Sequence, residues 1–255
     1  MRSIDIHAHL MPQCLWKTID AGHTWYGVRH EPGDGLGYTV RQGKRSPVQS
    51  PKLRFTPEER LQDMDAQGVD VQVVSIHTPF FGYDLEPAQG RQLARDVNDE
   101  IAGMTRQWPQ RFAGLANSIG VPVEDALVLA TLIFGGILDA CPLLKACIAH
   151  GGGPACFGMG RLDRGWQVRS EARIHIHKPP STYQRHLYYD CITNSETALR
   201  FLLDQVGADR VVLGSDWPFV RWDPSPVAWV QGLPSLTPQE KEKILWKNLE
   251  QLLGL

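Results

Sequence analysis

Two histidines near the amino terminus are the residues best placed by type and spacing to do chemistry. The segment Ile4-Asp5-Ile6-His7-Ala8-His9 puts His7 and His9 two residues apart, directly after a short apolar run. On a β-strand, residues two apart point to the same face and lie about 7 Å from each other. Two imidazoles at the end of a strand are a ready pair of ligands for a divalent metal ion.

Two later segments repeat this pattern. An apolar run from residue 144 ends at His150 and three glycines, and Val211-Val212-Leu213 is followed closely by Asp216. Parallel barrels build their active sites at the carboxyl ends of their strands. Each polar residue by itself could have a purely structural role. The same arrangement at three strand ends favours one shared metal site.

Composition limits the class of protein. The chain has 255 residues, 42% of them hydrophobic, which is enough for one sizeable core, so we expect a single domain over residues 1–255. A net charge of -2 without long charged blocks argues against nucleic-acid or membrane partners. Five cysteines without metal-finger spacing, and no signal peptide or long apolar run, favour a cytoplasmic protein with free thiols.

Predicted strands and helices alternate, which is typical of a (β/α) barrel. Residues 10–55 interrupt the alternation and are interpreted as an insertion over the barrel mouth. A helix is expected at about 123–140, and capping boxes at Thr56–Glu59 and Thr237–Glu240 are expected to open two others. The strand candidates are residues 3–8, 70–76, 111–116, 144–149, 186–191 and 210–215.

Several short sequence motifs make the chain resemble a branch of the amidohydrolase superfamily. This branch contains 2-amino-3-carboxymuconate 6-semialdehyde decarboxylase and related aromatic-acid decarboxylases. The resemblance extends from residue 3 to the carboxyl terminus. The motifs that carry the resemblance are Asp5–His9, Arg60–Asp65, Arg111–Leu115, His150–Gly153, Gly160-Arg161 and Gly214–Phe219.

The resemblance implies a metal-dependent decarboxylase on a TIM-barrel-like α/β fold. It makes His7, His9 and Asp216 ligands of a divalent ion, most simply Zn²⁺, although Mn²⁺ also suits this donor set. His150 would hydrogen-bond the metal-bound water and act as general acid and base. The alternative for His150 is a fourth metal ligand, as in hydrolytic members of the superfamily.

The resemblance also implies a small carboxylate substrate and a homodimer. Arg169, 19 residues after His150, would reach across the dimer interface and bind a substrate carboxylate with two parallel hydrogen bonds. The family's companion arginine has no match here, and Lys52 and Arg54 are nearby candidates. Trp217 is expected to bind substrate, and with Phe219 to wall the site, although either could be an ordinary core residue.

One departure from the family is an apparent internal deletion. A closed barrel needs eight strands, but only six are found, because the 28 residues between Ala116 and Lys145 leave room for one helix. The family's third histidine ligand is missing with this segment. His77, after the predicted strand ending at Ile76, is the candidate substitute, although from the sequence we favour a loop histidine hydrogen-bonded to solvent. The remaining strands would then close as a smaller distorted barrel, or a partner chain would cover the gap.

Three hypotheses therefore remain open from the sequence. The first is a metal-dependent decarboxylase of a small unsaturated or aromatic carboxylic acid. The second is a metal-dependent hydrolase of the same superfamily, acting on a lactone, amide or ester. The third is a truncated, catalytically impaired member. Release of carbon dioxide separates the first two, and metal content separates both from the third.

Overall fold

The computed structural model describes residues 2–82, 85–114, 122–219 and 222–255. Strands and helices alternate through much of this part of the chain, and the predicted α/β class is confirmed. The chain divides into two compact units. The N-terminal unit comprises His7–Asn117 and Ser215–Ser225, and the C-terminal unit comprises Met1–Ile6, Ser118–Gly214 and Pro226–Leu255.

All six strands expected from the sequence are present, and the insertion adds three more. The nine strands of the described residues are β1 (Ile4–Leu10), β2 (Arg29–Glu31), β3 (Tyr38–Arg41), β4 (Lys44–Pro47), β5 (Val71–Ile76), β6 (Phe112–Gly114), β7 (Cys147–Ile148), β8 (Tyr188–Asp190) and β9 (Val211–Val212).

The helices of the described residues are mostly short. They are α1 (Gln13–Asp20), α2 (Pro57–Gln67), α3 (Pro87–Gln107), α4 (Pro122–Phe134), α5 (Ile137–Ala140), α6 (Ala155–Val168), α7 (Glu196–Val206), α8 (Pro226–Gly232), α9 (Pro238–Glu242) and α10 (Asn248–Leu253). A π-helical turn, Lys243–Lys247, joins α9 to α10, and 3₁₀ turns cover Pro51–Arg54, Thr78–Phe80, His150–Gly152, Ser170–Arg173 and Pro180–His186.

One sheet of the N-terminal unit has the strand order β1-β5-β6. Strands β5 and β6 are parallel, with Gln72 opposite Phe112. Every residue of β5 is buried, as expected for a parallel strand that is covered on both faces. Val73, Val74 and Phe112 are among the core side chains of this unit. This sheet positions the end of β1, where His7 and His9 lie.

The insertion at residues 10–55 is more regular than the sequence suggests. It contains α1 and an antiparallel sheet in the order β2-β3-β4. Gln42 and Gly43 connect β3 to β4 with φ angles of 46° and 78°. Positive φ at both central residues is the requirement of a tight type I′ hairpin turn. The strands are only three or four residues long, so alternation of polar and apolar residues is too brief to predict them.

The C-terminal unit contains a parallel sheet in the order β7-β8-β9. Cys147 pairs with Tyr188, and Tyr189 pairs with Val211. The backbone N–H of Ile6 donates to the carbonyl of Leu213 at 2.9 Å, so the start of β1 continues beside the chain that leaves β9. This sheet positions the end of β7, where His150 lies.

Both capping boxes expected from the sequence are present. The Thr56 hydroxyl accepts from the Glu59 N–H while the Glu59 carboxylate accepts from the Thr56 N–H. Thr237 and Glu240 make the same reciprocal pair. Each box satisfies two backbone donors that a helix start leaves open.

The helix expected at about 123–140 is wrong as a single element. It divides into α4 and α5 because Gly136 adopts a φ of 69°. A β-carbon at Gly136 would lie 2.8 Å from the His175 carbonyl oxygen, so a side chain would collide there. Helix α6 was not predicted, since three glycines within it (Gly158, Gly160 and Gly165) interrupt the apolar periodicity that indicates a helix.

The region of the apparent deletion is helical where it is described. Residues 122–146 hold α4 and α5 and contain no strand, while the end of the expected strand at Leu115-Ala116 and the segment 117–121 lie outside the described residues. Among the described residues, β6 has one neighbouring strand, β5, and β7 has one, β8. Closure of a barrel and the single domain stay predictions. No helix in the described part is long and apolar enough to cross a membrane.

Candidate metal centre

His7 and His9 lie at the site because β1 places both side chains on one face. Their Nε2 atoms are 3.0 Å apart, and the ring planes are nearly perpendicular, with centroids 4.9 Å apart. Both side chains are largely buried. The period-two geometry of a strand therefore brings together two imidazole nitrogens as the sequence predicts.

Asp216 joins the two histidines from the segment that follows β9. Its backbone N–H donates to the His7 carbonyl at 2.7 Å, and the His9 N–H donates to the Trp217 carbonyl at 2.7 Å. These bonds hold Asp216 beside β1, with a φ of 53°. Its Oδ1 lies 3.5 Å from His7 Nε2 and 3.3 Å from His9 Nε2. A non-glycine residue in this backbone region is strained, and such strain concentrates at functional sites.

The spacing of the three donor atoms suits a divalent cation. Ligand bonds of about 2.1 Å place adjacent donors about 3.0 Å apart at a right angle and about 3.4 Å apart at a tetrahedral angle. The observed separations of 3.0, 3.3 and 3.5 Å cover this range. Two imidazoles and a carboxylate are also a donor set that zinc and manganese accept. The residues present therefore fit a metal ion.

The ring of His9 is oriented by the neighbouring strand. The Ser75 hydroxyl lies 3.3 Å from His9 Nδ1 and 3.2 Å from the Ala8 carbonyl. If Ser75 donates to the carbonyl, it accepts the Nδ1 proton and leaves the lone pair on Nε2. Burial is the largest influence that lowers the pKa of His9, and His7 adds to it, while Asp216 opposes both. A neutral imidazole with a fixed tautomer is the form that ligates metals.

His77 lies directly after β5, and its ring is close to the same histidines. Its centroid is 6.0 Å from that of His9 and 4.5 Å from that of Phe219. Its Nδ1 is buried and makes no hydrogen bond within the described residues. His77 is half-buried and lies in the loop after β5, and its hydrogen bond to solvent stays a prediction for the nitrogen other than Nδ1. A buried nitrogen that makes no hydrogen bond is compatible with coordination of a metal ion, so His77 stays the candidate substitute ligand.

Trp217 is buried inside the N-terminal unit. Its indole N–H donates to Asp63, and the Arg60 guanidinium lies 3.8 Å above its ring. Arg60 is itself buried and donates to the His9 carbonyl at 2.6 Å and to Gln72 at 2.7 Å. Substrate contact by Trp217 stays a prediction, while the Phe219 ring lies beside His9, with centroids 5.7 Å apart.

The two cations proposed as companions for substrate are paired with carboxylates of the same unit. Lys52 Nζ lies 2.8 Å from both oxygens of Asp63. Arg54 lies 3.4 Å from Asp20, and its guanidinium lies 3.9 Å from the centre of the Trp16 ring. Either side chain would have to exchange these partners to bind a substrate carboxylate.

In the C-terminal unit, His150 follows β7 and begins a tight glycine turn. Its φ is 49°, and Gly151 and Gly152 follow with φ of 61° and 78°. The Asp190 carboxylate accepts from the Gly151 N–H at 3.0 Å. His150 Nδ1 lies 2.8 Å from Asp125 Oδ2, and this carboxylate is 2% exposed. Sequence reasoning did not identify Asp125, because a single aspartate 25 residues before the histidine carries no motif.

Arg169 ends α6 at the surface of the C-terminal unit. Its side chain is 70% exposed and lies 3.6 Å from Glu171. Arg161 on the same helix is also exposed. Exposure is compatible with contact to a second subunit, so the role of Arg169 stays a prediction.

Comparison with known proteins identifies relatives along the whole chain. Residues 128–255 match the family model described as amidohydrolase. The chain is 32% identical over 380 aligned residues to 2-amino-3-carboxymuconate-6-semialdehyde decarboxylase of Caenorhabditis elegans, covering 100% of this chain and 94% of that protein. The corresponding Dictyostelium discoideum enzyme is 23% identical over 331 residues, covering 99% of this chain and 91% of that protein. Both alignments are longer than the 255 residues of the chain because they contain gaps opposite residues of the relatives.

A solved structure shares the fold. The dihydroxybenzoic acid decarboxylase of Polaromonas sp. JS666, solved with bound manganese and the inhibitor 2-nitroresorcinol, superposes with a TM-score of 0.77 at 16% identity. The match covers 100% of this chain and 97% of that chain.

Proposed function

This chain belongs to the amidohydrolase family, and from that premise we propose that it is a metal-dependent decarboxylase of a small unsaturated or aromatic carboxylic acid. The observation that carries the proposal is the convergence of His7, His9 and Asp216, whose donor atoms lie 3.0 to 3.5 Å apart. Relatives that align with the whole chain are named decarboxylases, which favours this reaction over hydrolysis.

In this proposal His7, His9 and Asp216 hold a divalent cation, Zn²⁺ or Mn²⁺. When bound, such a cation polarises a substrate oxygen and stabilises the negative charge that develops on it. Ser75 keeps the His9 lone pair directed at the site, and Asp216 supplies the negative charge that balances part of the cation's charge. His77 is the candidate for a further nitrogen donor, since its Nδ1 is buried and makes no hydrogen bond to any residue that the structure describes.

His150 is proposed as the acid and base of the reaction. It delivers a proton to the substrate carbon that bears the carboxylate, and the bond from this carbon to the carboxyl carbon breaks. The electron pair of that bond ends in the new C–H bond, and carbon dioxide leaves. Histidine suits this step because its unperturbed pKa of about 6.5 lets it hold or release a proton near neutrality.

The substrate is proposed to be a small carboxylate of the kind named for the relatives, an aminocarboxymuconate semialdehyde or a dihydroxybenzoate. Arg169 from a second subunit is proposed to bind a carboxylate of this substrate, which makes the enzyme a homodimer. Strands β1 and β5 to β9 are proposed to form a shortened barrel. A cytoplasmic location is also proposed, because the cysteines are free thiols.

The test measures metal content and carbon dioxide together. The purified chain is loaded with Zn²⁺ or Mn²⁺ and given ¹³C-carboxyl-labelled aminocarboxymuconate semialdehyde or dihydroxybenzoate. We expect about one metal ion per chain and release of labelled carbon dioxide. His9→Ala should lose both, whereas His23→Ala, which changes an exposed histidine of the same unit, should lose neither. Metal binding with ester or lactone cleavage but no carbon dioxide would assign a hydrolase. Absence of metal from the wild type would assign an impaired member.

A further inference from the structure

The strongest unassigned feature is the contact between His150 and Asp125. Asp125 lies in the first turn of α4, and its Oδ2 is 2.8 Å from His150 Nδ1. The carboxylate is 2% exposed and the imidazole 17% exposed. The partners come from different elements, since His150 follows β7. A buried carboxylate that bonds one nitrogen of a histidine constrains how that ring is oriented.

The chemistry of the two groups fixes the tautomer as well as the orientation. An ionised carboxylate accepts hydrogen bonds and donates none. With Asp125 ionised, the Nδ1 atom of His150 carries the hydrogen that Asp125 accepts. The other ring nitrogen, Nε2, is then the atom that can gain or lose a proton during a reaction.

The backbone of His150 is held separately from its ring. The Asp190 carboxylate accepts from the N–H groups of Gly151 and Ile192 at 3.0 and 3.1 Å, which fixes the turn. Asp125 approaches the ring from α4, where the helix start favours a negative charge. The turn sets where the histidine lies, and Asp125 sets which way the ring faces.

We propose that Asp125 is a positioning residue for His150, holding its imidazole with the hydrogen on Nδ1 and leaving Nε2 to exchange the proton. The inference rests on the proposed function for its catalytic consequence. It does not rest on it for the tautomer, which is a property of the protein without substrate.

The test replaces the carboxylate by an amide of the same shape. Asp125→Asn should lower kcat about 100-fold or more, the scale of general acid–base assistance, with KM and metal content within about 2-fold of the wild type. Asp125→Glu, which keeps a carboxylate, should recover part of this loss. Asp139→Asn is the matched control, because Asp139 also bonds a side chain of this unit, the Tyr183 hydroxyl at 2.6 Å. The control should leave kcat unchanged.

A second measurement reads the tautomer directly. In protein with ¹⁵N-labelled histidine, the His150 signal is assigned by its loss in His150→Gln. We expect the Nδ1-protonated pattern in the wild type and a changed pattern in Asp125→Asn, with the other histidine signals unchanged. An unchanged tautomer or an unchanged kcat in Asp125→Asn would overturn the proposal, as would a general loss of fold that accounts for the lower rate. If the wild type releases no carbon dioxide, the proposed function fails while the tautomer measurement still tests Asp125.

Discussion

The imidazole of His77 packs against the ring of Phe219, with centroids 4.5 Å apart and ring planes inclined by 33°. Burial, and secondarily the nearby His9, lowers the pKa of His77 to about 3. The ring is therefore neutral at physiological pH and keeps a lone pair. Its Nδ1 is buried without a hydrogen bond in the described part of the chain. His77 has the protonation state that a metal ligand needs, although solvent does not reach this nitrogen.

Replacing His77 by phenylalanine separates packing from ligation. The His77→Phe variant keeps a ring against Phe219 and removes the unpaired nitrogen, so the metal-free protein should gain about 1 kcal/mol of unfolding free energy. If His77 donates to the metal, affinity for Zn²⁺ or Mn²⁺ should fall about 10-fold or more. Denaturant unfolding and competition with a chelating dye measure the two effects. His23→Phe is the exposed control. Unchanged metal affinity in His77→Phe would remove His77 from the ligand set.

Ser75 offers a test of how His9 is held. In Ser75→Ala the His9 Nδ1 loses its hydroxyl neighbour at 3.3 Å, so the ring is held less firmly in the tautomer that leaves Nε2 for the metal. We expect metal affinity to fall about 10-fold, the usual effect of removing a group that orients a ligand. Isothermal titration with the metal-free protein measures this. Ser46→Ala, in the hairpin of the insertion, serves as control, and an equal effect of the two changes would contradict the role of Ser75.

Much of the metal centre could be predicted because it depends on strand geometry. Alternation along β1 puts His7 and His9 on one face, and parallel strands end at a common edge, which brings Asp216 to them. Asp125 could not be predicted, since its contact depends on how α4 packs beside the turn His150–Gly152. Trp217 was expected at the site from its position after Asp216, but burial of its ring under Arg60 is a tertiary contact that spacing does not encode.

Arg60 connects the core of the N-terminal unit to the backbone of the metal-binding strand. Arg60→Met keeps much of the apolar stem but leaves the His9 carbonyl and the Gln72 side chain without this donor. We expect the free energy of unfolding to fall by about 2–3 kcal/mol, since charged hydrogen bonds are lost in a buried site. Urea denaturation measures the change. Arg95→Met, at an exposed position of α3, should change stability by less than about 0.5 kcal/mol. Similar losses in both variants would refute the argument.

The five free cysteines should differ sharply in reactivity, because the thiolate is the nucleophile. Burial raises the pKa of Cys191 to about 12 and that of Cys156 to about 11. Cys141 is exposed. A maleimide at pH 7.5 should therefore label Cys141 first in the native protein and all five residues after unfolding. Mass spectrometry of the digested protein identifies the labelled peptide, and Cys141→Ser should abolish the fast phase. Simultaneous labelling of Cys191 would contradict the structure.

Exposed apolar side chains flank Arg169 in the C-terminal unit. Phe157, Val168 and Ile174 are 84%, 57% and 65% exposed. Large apolar side chains left in water are candidates for burial in a contact with another chain, since contiguous apolar patches mark interaction sites. We expect a homodimer by multi-angle light scattering, and Ile174→Asp should raise its dissociation constant about 10-fold or more. Leu36→Asp, at a 44% exposed position of the N-terminal unit, should not. A monomeric wild type would exclude the dimer.

Mixing two inactive variants tests whether Arg169 acts on the neighbouring subunit. Arg169→Ala and His150→Ala should each abolish turnover alone. If Arg169 serves the partner's site, a heterodimer contains one subunit whose own His150 is intact and whose substrate arginine comes from the other chain. Random reassociation makes about half of the dimers heterodimers, so about one quarter of wild-type activity should return. If Arg169 serves its own subunit, every site in the mixture lacks one group. No recovery from a mixture proven to exchange subunits would therefore place the arginine in its own site or outside catalysis.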